Sequence, residues 1–194
     1  MEPRESAAGS EPGDGFRTPG LDIDGVMAQA ARAAEAFRRL TQEDTDRIVA
    51  AVYREGFNHR IRLAKLACEE TRLGRWEDKV IKNVIATRYV YHDIKDLRTV
   101  GVIAEDKVHD VVEVAEPLGP IFAITPITNP TPTVLFKSLI SMKSRNPIII
   151  RPHGAAADCS SSSSEIGSAD AMEVEPVHLI AATSPAWSSN DRVQ

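Results

Sequence analysis

The side chains best suited to chemistry lie in the loop from Pro126 to Thr133, which follows a short apolar run. Asn129 is the only side-chain amide of this loop, and its NH2 group could donate a hydrogen bond to an oxygen that develops negative charge. Thr125, Thr128 and Thr131 add hydroxyl groups. An Asn-Pro pair in a loop is also a common turn former. The residue types alone leave both alternatives open for Asn129.

The two cysteines of the sequence are weak candidates for a nucleophile. Cys68 falls on the apolar side of a predicted helix and is expected to be a core residue. Cys159 lies in a serine-rich, acidic stretch, where carboxylates raise the pKa of a thiol and oppose thiolate formation. Glu69 and Glu70 are adjacent on a helix and point apart, so we expect a solvated face. The histidines show no spacing typical of metal ligands, so no metal site is predicted.

The elements before residue 95 are predicted to be helices, because apolar residues recur there every three to four positions. Thr41 and Asp44 have the spacing of a capping box, and Gly74 is placed to end a helix. The fourth helix is expected to bury Val80, Ile81, Val84, Ile85 and Tyr91. The four predicted helices span residues 22–40, 41–56, 59–72 and 76–94.

The apolar pattern then changes to that of strands. Residues 98–116 hold two Val- and Ile-rich runs around a polar connection, which predicts a β-hairpin. Pro120 to Thr125 reads as a strand covered on both faces, and Pro147 to Arg151 as a second buried strand. A helix from about Thr133 to Arg145 joins them. The fold class predicted is α/β: a helical start, a hairpin and an incomplete Rossmann-like βαβ unit.

The flanking segments differ in composition from the middle of the chain. Residues 1–20 are rich in Gly, Pro, Ser and Glu, and residues 155–194 include five consecutive serines, Ser160 to Ser164. Such segments cannot offset their ordering entropy by burial, so both are predicted to be disordered tails. The domain prediction is therefore one partial cofactor-binding domain at residues 21–154.

Several motifs resemble the acylating, CoA-dependent aldehyde dehydrogenases, as in the N-terminal half of bifunctional aldehyde-alcohol dehydrogenases. The residues from Ala115 to Gly154, AEPLGPIFAITPITNPTPTVLFKSLISMKSRNPIIIRPHG, are similar to that family's AEPxGxIxxIxPTTNPT, FKSLISLKTRN and IIFSPHP. EDKVIKN at residues 77–83 and the IxLAKLAxEET pattern at residues 61–71 also resemble it. The resemblance covers roughly residues 22–158.

The resemblance implies a reaction in which a cysteine thiolate attacks an aldehyde, hydride passes to NAD, and the acyl group is transferred to coenzyme A. Asn129 corresponds to the amide that stabilises the thiohemiacetal oxyanion. The hairpin corresponds to one that pairs with another subunit in the superfamily; an ordinary hairpin packed on its own domain is the alternative. The residues that correspond to cofactor contacts are Ile124, Thr125, Pro126, Ile127, Thr128, Asn129, Arg151 and His153.

Departures from the family pattern bear on this expectation. Ile127 replaces a usual Thr, and Gly154 replaces a usual Pro. The family's nucleophilic cysteine lies far beyond the TNPT loop, where this sequence has only Cys159. We therefore expect a truncated fragment, inactive alone and with an incomplete NAD site, caused by a gene-model error, a frameshift or a retained intron. The alternatives are a short oligomerisation or binding partner of full-length subunits and, ranked last, a free-standing NAD-binding module.

The composition excludes other classes of function. The net charge is −5 and no cluster of Lys and Arg is present, which argues against nucleic-acid binding. The N-terminus has no apolar run of a secretory signal, and no stretch approaches the ~20 apolar residues of a membrane span. Together with the low cysteine count, these features predict a cytoplasmic protein. The preferred aldehyde, the presence of an alcohol dehydrogenase domain and the oligomeric state are left open.

Overall fold

The structure, a computed structural model, describes residues 22–169. The predicted tail at residues 1–20, and the part of the predicted tail 155–194 that follows residue 169, lie outside the described residues. Within the described range a helical layer, a β-hairpin and a βαβ unit follow one another along the chain. The predicted fold class is confirmed. No helix in residues 22–169 is long and apolar enough to span a bilayer.

The helical layer begins with three helices whose limits are close to those predicted. The capping box is confirmed: the Thr41 hydroxyl accepts from the Asp44 N–H at 3.1 Å, and the Asp44 carboxylate accepts from the Thr41 N–H at 3.2 Å. The third helix ends in a left-handed residue at Arg72 (φ 54°), two positions before the Gly74 that was expected to end it. The three helices are α1 (Ile23–Arg38), α2 (Gln42–Asn58) and α3 (Arg60–Thr71).

The fourth helical segment buries only part of the predicted face: Val80, Val84 and Tyr91 are partly buried, and Tyr91 packs against the main core. The segment consists of α4 (Trp76–Val84), a π-helical turn (Ile85–Tyr89) and α5 (Val90–Ile94). Ile81 and Ile85 are 60% and 52% exposed, whereas Lys79, Asn83 and Thr87 are buried.

Hydrogen bonds explain why polar side chains are buried in this segment. The Asn83 amide donates to the backbone oxygen of Arg60 at 2.9 Å and accepts from the Thr131 hydroxyl at 2.9 Å. The Thr87 hydroxyl donates to the Asn83 backbone oxygen at 2.7 Å. Because these buried polar groups satisfy one another, they can occupy the buried side of the segment, while Ile81 and Ile85 face outward.

The hairpin consists of β1 (Gly101–Asp106) and β2 (Val111–Ala115), paired antiparallel within the predicted range. Gly101 has φ 66°, a conformation that favours glycine at the start of the hairpin. Both strands expose apolar side chains. The exposed valines of the hairpin and its turn are Val102, Val108, Val111, Val112 and Val114.

The hairpin turn is expected to depend on pH. The Asp106 carboxylate accepts from the His109 ring at 2.7 Å and from the backbone N–H groups of Val108 and His109 at 2.9 and 3.2 Å. These bonds, the His109 side chain first, lower the pKa of Asp106. The turn should therefore keep its full stabilisation above the unfolded Asp value of about 3.9 and lose it as the pH falls through the lowered folded value.

Amide hydrogen exchange and chemical shifts of Val108 and His109, measured from pH 6 downwards, check this expectation. Asp106→Asn should remove the pH response, and Asp110→Asn serves as the matched control in the same turn. A turn that responds identically in both variants would contradict the assignment to Asp106.

The βαβ unit is formed by β3 (Ile121–Ile124), α6 (Pro130–Lys143) and β4 (Ile148–Arg151). The two strands are parallel, with Ile121 paired to Ile148 and Ile124 to Arg151. Helix α6 starts three residues earlier than predicted, and its first turn contains two prolines. Proline fits the first turn of a helix because the N–H it lacks would have no partner there. The polar loop after β3 is correspondingly shorter.

The prediction that β3 is covered on both faces is wrong in the described part of the chain. Ala123 is buried, but Phe122 and Ile124 are 60% and 65% exposed. Helix α1 packs over Ile149 of the neighbouring strand β4, and no described element covers the same face of β3. The opposite face packs in the main core. Its buried residues are Phe37, Ile48, Val49, Val52, Ala123, Val134, Leu139, Met142, Ile148 and Ile150.

The serine-rich segment is folded where the structure describes it, which corrects the predicted tail from residue 155. A 3-10 turn (Gly154–Ala156) leads into α7 (Ala157–Ala169), which packs on α2, α3 and α6. The hydroxyls of Ser160 and Ser163 donate to backbone oxygens four residues earlier, at 2.6 and 2.7 Å. These serines are buried. Their polar groups are satisfied within the helix, and their small size allows close packing.

Residues 143–146 hold distant segments together. Lys143 is buried, and its Nζ donates to Asp46 at 2.5 Å and to the Lys95 backbone oxygen at 2.8 Å. Arg145, also buried, donates to the backbone oxygens of Arg38 and Ala115 at 3.2 and 3.1 Å. The end of α6 and the residues that follow it are therefore structural: Lys143 binds α2, and Arg145 binds the end of α1 and the base of the hairpin.

Candidate functional site

The loop after β3 lies at the carboxyl end of the parallel strand pair, where open α/β sheets bind ligands. Thr125 is buried, and its N–H donates to the Arg151 backbone oxygen at 3.0 Å, which extends the strand pairing. Ile127 packs against Ala67, Ala156 and Cys159. Ile124, Pro126 and Thr128 are exposed. The predicted cofactor residues of this loop thus form two groups. Ile124, Pro126 and Thr128 face outward, whereas Thr125 and Ile127 fix the loop to the rest of the fold.

The hydroxyl of Thr131 does not belong to the site. It is buried and donates to Asn83, so it joins α6 to α4. Among the three threonines considered from the sequence, Thr128 is the one exposed to solvent.

Asn129 is the N-cap residue of α6, and its side chain makes no capping hydrogen bond. Its Oδ1 accepts from the Lys82 ammonium at 2.8 Å. Its Nδ2 lies 3.4 Å from the Thr128 hydroxyl oxygen, a long contact. An amide nitrogen carries two hydrogens, so a donor remains for a further acceptor. The side chain therefore does not act as the turn former that the Asn-Pro pair allowed.

Two lysines of α4 hold this loop, and neither was predicted as a site residue. Lys79 is 5% exposed, and its Nζ donates to the Thr128 backbone oxygen at 3.3 Å. Burial lowers the pKa of Lys79; the nearby Cys68 thiol opposes the shift and the Lys82 charge adds to it. Lysines three positions apart share one face of a helix, and this spacing in EDKVIKN was the available signal.

Arg151 and His153 lie at the carboxyl end of β4, beside the loop that follows β3. The Arg151 guanidinium donates to the Pro152 backbone oxygen at 2.8 Å. The exposed His153 ring accepts from the Ala155 N–H at 3.1 Å and so caps the 3-10 turn. Because Ile124 pairs with Arg151, the structure brings both groups of predicted cofactor residues to one edge of the sheet.

Neither cysteine is arranged as a nucleophile. Cys159 is fully buried, and burial first and the neighbouring Glu70 second raise the pKa of its thiol. The upward direction agrees with the prediction, but burial rather than the acidic composition is the main cause. The Cys68 thiol is half-buried and donates to the Gly74 backbone oxygen at 3.2 Å.

Glu70 was predicted to lie on a solvated face, but its carboxylate binds the start of helix α7. Its two carboxylate oxygens accept from the N–H groups of Asp158 and Cys159, at 2.9 and 2.8 Å. These N–H groups lie in the first turn of α7 and have no partner within that helix. Glu69 is exposed, as expected.

The helical layer, the parallel strand pair and the polar loop at its carboxyl edge form part of an α/β fold, with the loop at the edge where such sheets bind ligands. Residues 16–168 match the family model described as the aldehyde dehydrogenase family. The chain belongs to this family.

The resemblance to the acylating branch is also confirmed by individual relatives. The bifunctional aldehyde-alcohol dehydrogenase of Escherichia coli K12 is 41% identical over 145 residues, which are 75% of this chain and 16% of that protein. An acetylating aldehyde dehydrogenase from Geobacillus thermoglucosidasius has a TM-score of 0.77 and 38% identity, over 79% of this chain and 34% of that one.

A more distant structure, the Rhodopseudomonas palustris propionaldehyde dehydrogenase with bound CoA, has a TM-score of 0.60 and 26% identity. It matches 78% of this chain and 34% of its own. The chain thus spans a small part of the curated E. coli relative and about a third of these solved structures.

Proposed function

We propose that this chain forms part of an NAD-dependent, CoA-acylating aldehyde dehydrogenase, which converts an aldehyde, CoA and NAD into an acyl-CoA and NADH. The observation that carries the proposal is the Asn129 amide at the carboxyl edge of the strand pair, with its oxygen occupied by Lys82 and a donor hydrogen left over. Such a donor stabilises the oxyanion that forms when a thiolate adds to an aldehyde.

The residues at this edge fit one side of a dinucleotide site. Loop 125–129 and residues 151–153 lie next to each other across the paired ends of β3 and β4. In the proposed enzyme, Ile124, Pro126 and Thr128 offer an exposed surface to the cofactor, and Arg151 and His153 lie on the side of the adenosine ribose. NAD supplies the hydride acceptor when bound, and CoA accepts the acyl group.

We further propose that the 194-residue chain has no dehydrogenase activity by itself. A thiol must be reachable and ionised to attack an aldehyde. Cys159 is fully buried with a raised pKa, and Cys68 is held on the Gly74 backbone. The purified chain should therefore form no NADH from acetaldehyde and CoA above a protein-free control. A CoA-dependent rate that Cys68→Ser or Cys159→Ser abolishes would contradict this proposal.

Cofactor contact can be tested without activity. In a two-dimensional NMR titration of the ¹⁵N-labelled chain with NAD, the resonances of Thr128, Asn129, Arg151 and His153 should shift. Adenosine monophosphate should reproduce the shifts at Arg151 and His153 and leave Asn129 nearly unchanged. Saturable shifts confined to other parts of the chain, or no shifts at millimolar NAD, would argue against the proposed site.

A second candidate function is association with aldehyde dehydrogenase subunits through the hairpin. The observation in its favour is the row of half-exposed valines on β1 and β2, since an exposed apolar edge invites pairing with another chain. Val112→Thr with Val114→Thr keeps the strand propensity and removes apolar surface. Light scattering should show less self-association, or less binding to a full-length subunit, for this variant than for an Ile81→Thr control.

A further inference from the structure

The contact between Lys82 and Asn129 joins two segments 47 positions apart in the sequence. It lies next to the contact between Lys79 and the backbone oxygen of Thr128. Two lysines one helical turn apart therefore hold two consecutive residues of the loop, one by its backbone and one by its side chain. The second contact involves the single amide of the candidate site, which a purely structural clamp would not require.

The chemistry of the lysine decides which way the amide faces. An ammonium group has three donor hydrogens and no acceptor, so it binds the oxygen of the Asn129 side chain and not the nitrogen. The oxygen and nitrogen of an amide exchange places by a half-turn, and the remaining neighbour, Thr128 Oγ1 at 3.4 Å, can donate or accept. Of the two hydrogen-bonding neighbours of the Asn129 side chain, Lys82 is thus the one that distinguishes the two orientations of the amide.

We propose that Lys82 is a positioning residue, which fixes the Asn129 amide with its oxygen towards α4 and its NH2 group towards the reacting oxygen of a substrate. The inference rests on the proposed function for the identity of that oxygen. In the reverse orientation the amide oxygen, which carries a partial negative charge, would face the developing oxyanion and repel it. The ammonium charge also polarises the amide, which makes its N–H groups stronger donors.

The test compares the full 194-residue chain with Lys82→Met, Lys82→Arg and, as a matched lysine control on α3, Lys65→Met. Asn129→Asp identifies the side-chain amide resonances of Asn129, because it removes them. The readouts are the shifts of these resonances in the ligand-free protein and the melting temperature of each variant.

In Lys82→Met, the two Asn129 amide proton resonances should move to the positions of a freely rotating, exposed amide, while the melting temperature stays near that of the starting protein. Lys82→Arg, which keeps a cationic donor, should restore the original positions, and Lys65→Met should not alter them. A lysine that only held the loop in place would lower the melting temperature and move the backbone resonances of residues 127–131 together with these signals. Unchanged Asn129 resonances in folded Lys82→Met would overturn the proposal.

A measurement on the starting protein keeps the inference testable even if Lys82→Met does not fold. The Lys82 Hε protons should show a nuclear Overhauser effect to the Asn129 Hβ protons and none to its side-chain NH2 protons, and the reverse pattern would overturn the proposed orientation. The NAD titration separates the two proposals. If NAD causes no shifts but the Asn129 amide resonances respond to Lys82→Met, the proposed function alone is contradicted. If NAD binds but these resonances do not respond to Lys82→Met, the positioning role alone is contradicted.

Discussion

Asp46→Ala is expected to lower the free energy of unfolding by about 3 kcal/mol, because it leaves the ammonium group of Lys143 buried without its counter-charge. The Lys143 side chain is 4% exposed, whereas that of Asp46 is 42% exposed. Lys143→Met removes the buried charge and leaves a carboxylate that water can still reach. Its cost should be smaller, about 1–2 kcal/mol, mostly from the unpaired backbone oxygen of Lys95.

Denaturant unfolding of the two single variants and the double variant measures this asymmetry. The double variant should be more stable than Asp46→Ala alone, since it no longer contains the buried, unpaired ammonium group of Lys143. Glu43→Ala, an exposed acidic residue on the same helix, is the control and should change stability by less than about 0.5 kcal/mol. Additive single effects would show that Lys143 and Asp46 do not act as a pair.

Glu70→Ala is expected to release the first turn of α7 and to expose the Cys159 thiol. A carboxylate that accepts two N–H groups at a helix N-terminus contributes about 1–2 kcal/mol. Removal of that contribution should raise the rate at which Cys159 reacts with a disulfide reagent by about 5–30-fold, measured in a Cys68→Ser background.

The thiol rate alone does not separate opening of the helix from a lower thiol pKa, because Glu70 also raises the pKa of Cys159. Hydrogen exchange of the amides of residues 158–164 makes this distinction, since it reports opening of α7 directly. Glu69→Ala is the matched control on the neighbouring, exposed position and should leave both readouts unchanged. Equal thiol and exchange rates in Glu70→Ala and the starting protein would contradict the capping role.

The parts of the fold that depend on local sequence could be predicted. The capping box at Thr41 and Asp44, the hairpin within residues 98–116 and the βαβ unit each rest on residues close together in the chain. The position of Asn129 at the carboxyl end of a strand followed from the same local pattern. Its role as the N-cap does not follow from the local pattern, because the two prolines after it are as typical of a loop as of the first turn of a helix.

The features that could not be predicted depend on contacts between distant segments. The buried face of α4 was assigned to apolar residues, because nothing near Asn83 indicates that Arg60 and Thr131 satisfy its amide. The contact of Lys82 could not be predicted for the same reason, since its partner Asn129 lies on another element. Helix α7 could not be predicted because its low-complexity composition indicates no burial to offset the ordering entropy, and the carboxylate that caps it comes from α3.

The low complexity of residues 160–164 follows from where this helix lies. Ser160, Ser163 and Ser164 are almost completely inaccessible to solvent, in a helix that packs on three others. A larger side chain at these positions would have to push those helices apart, and an aliphatic one of similar volume would have to match the close fit. At Ser160, Ser163 and Ser164 the small residue type reflects a tight steric constraint, so alanine should be the best tolerated substitution there, whereas glycine in the helix interior costs about 1 kcal/mol.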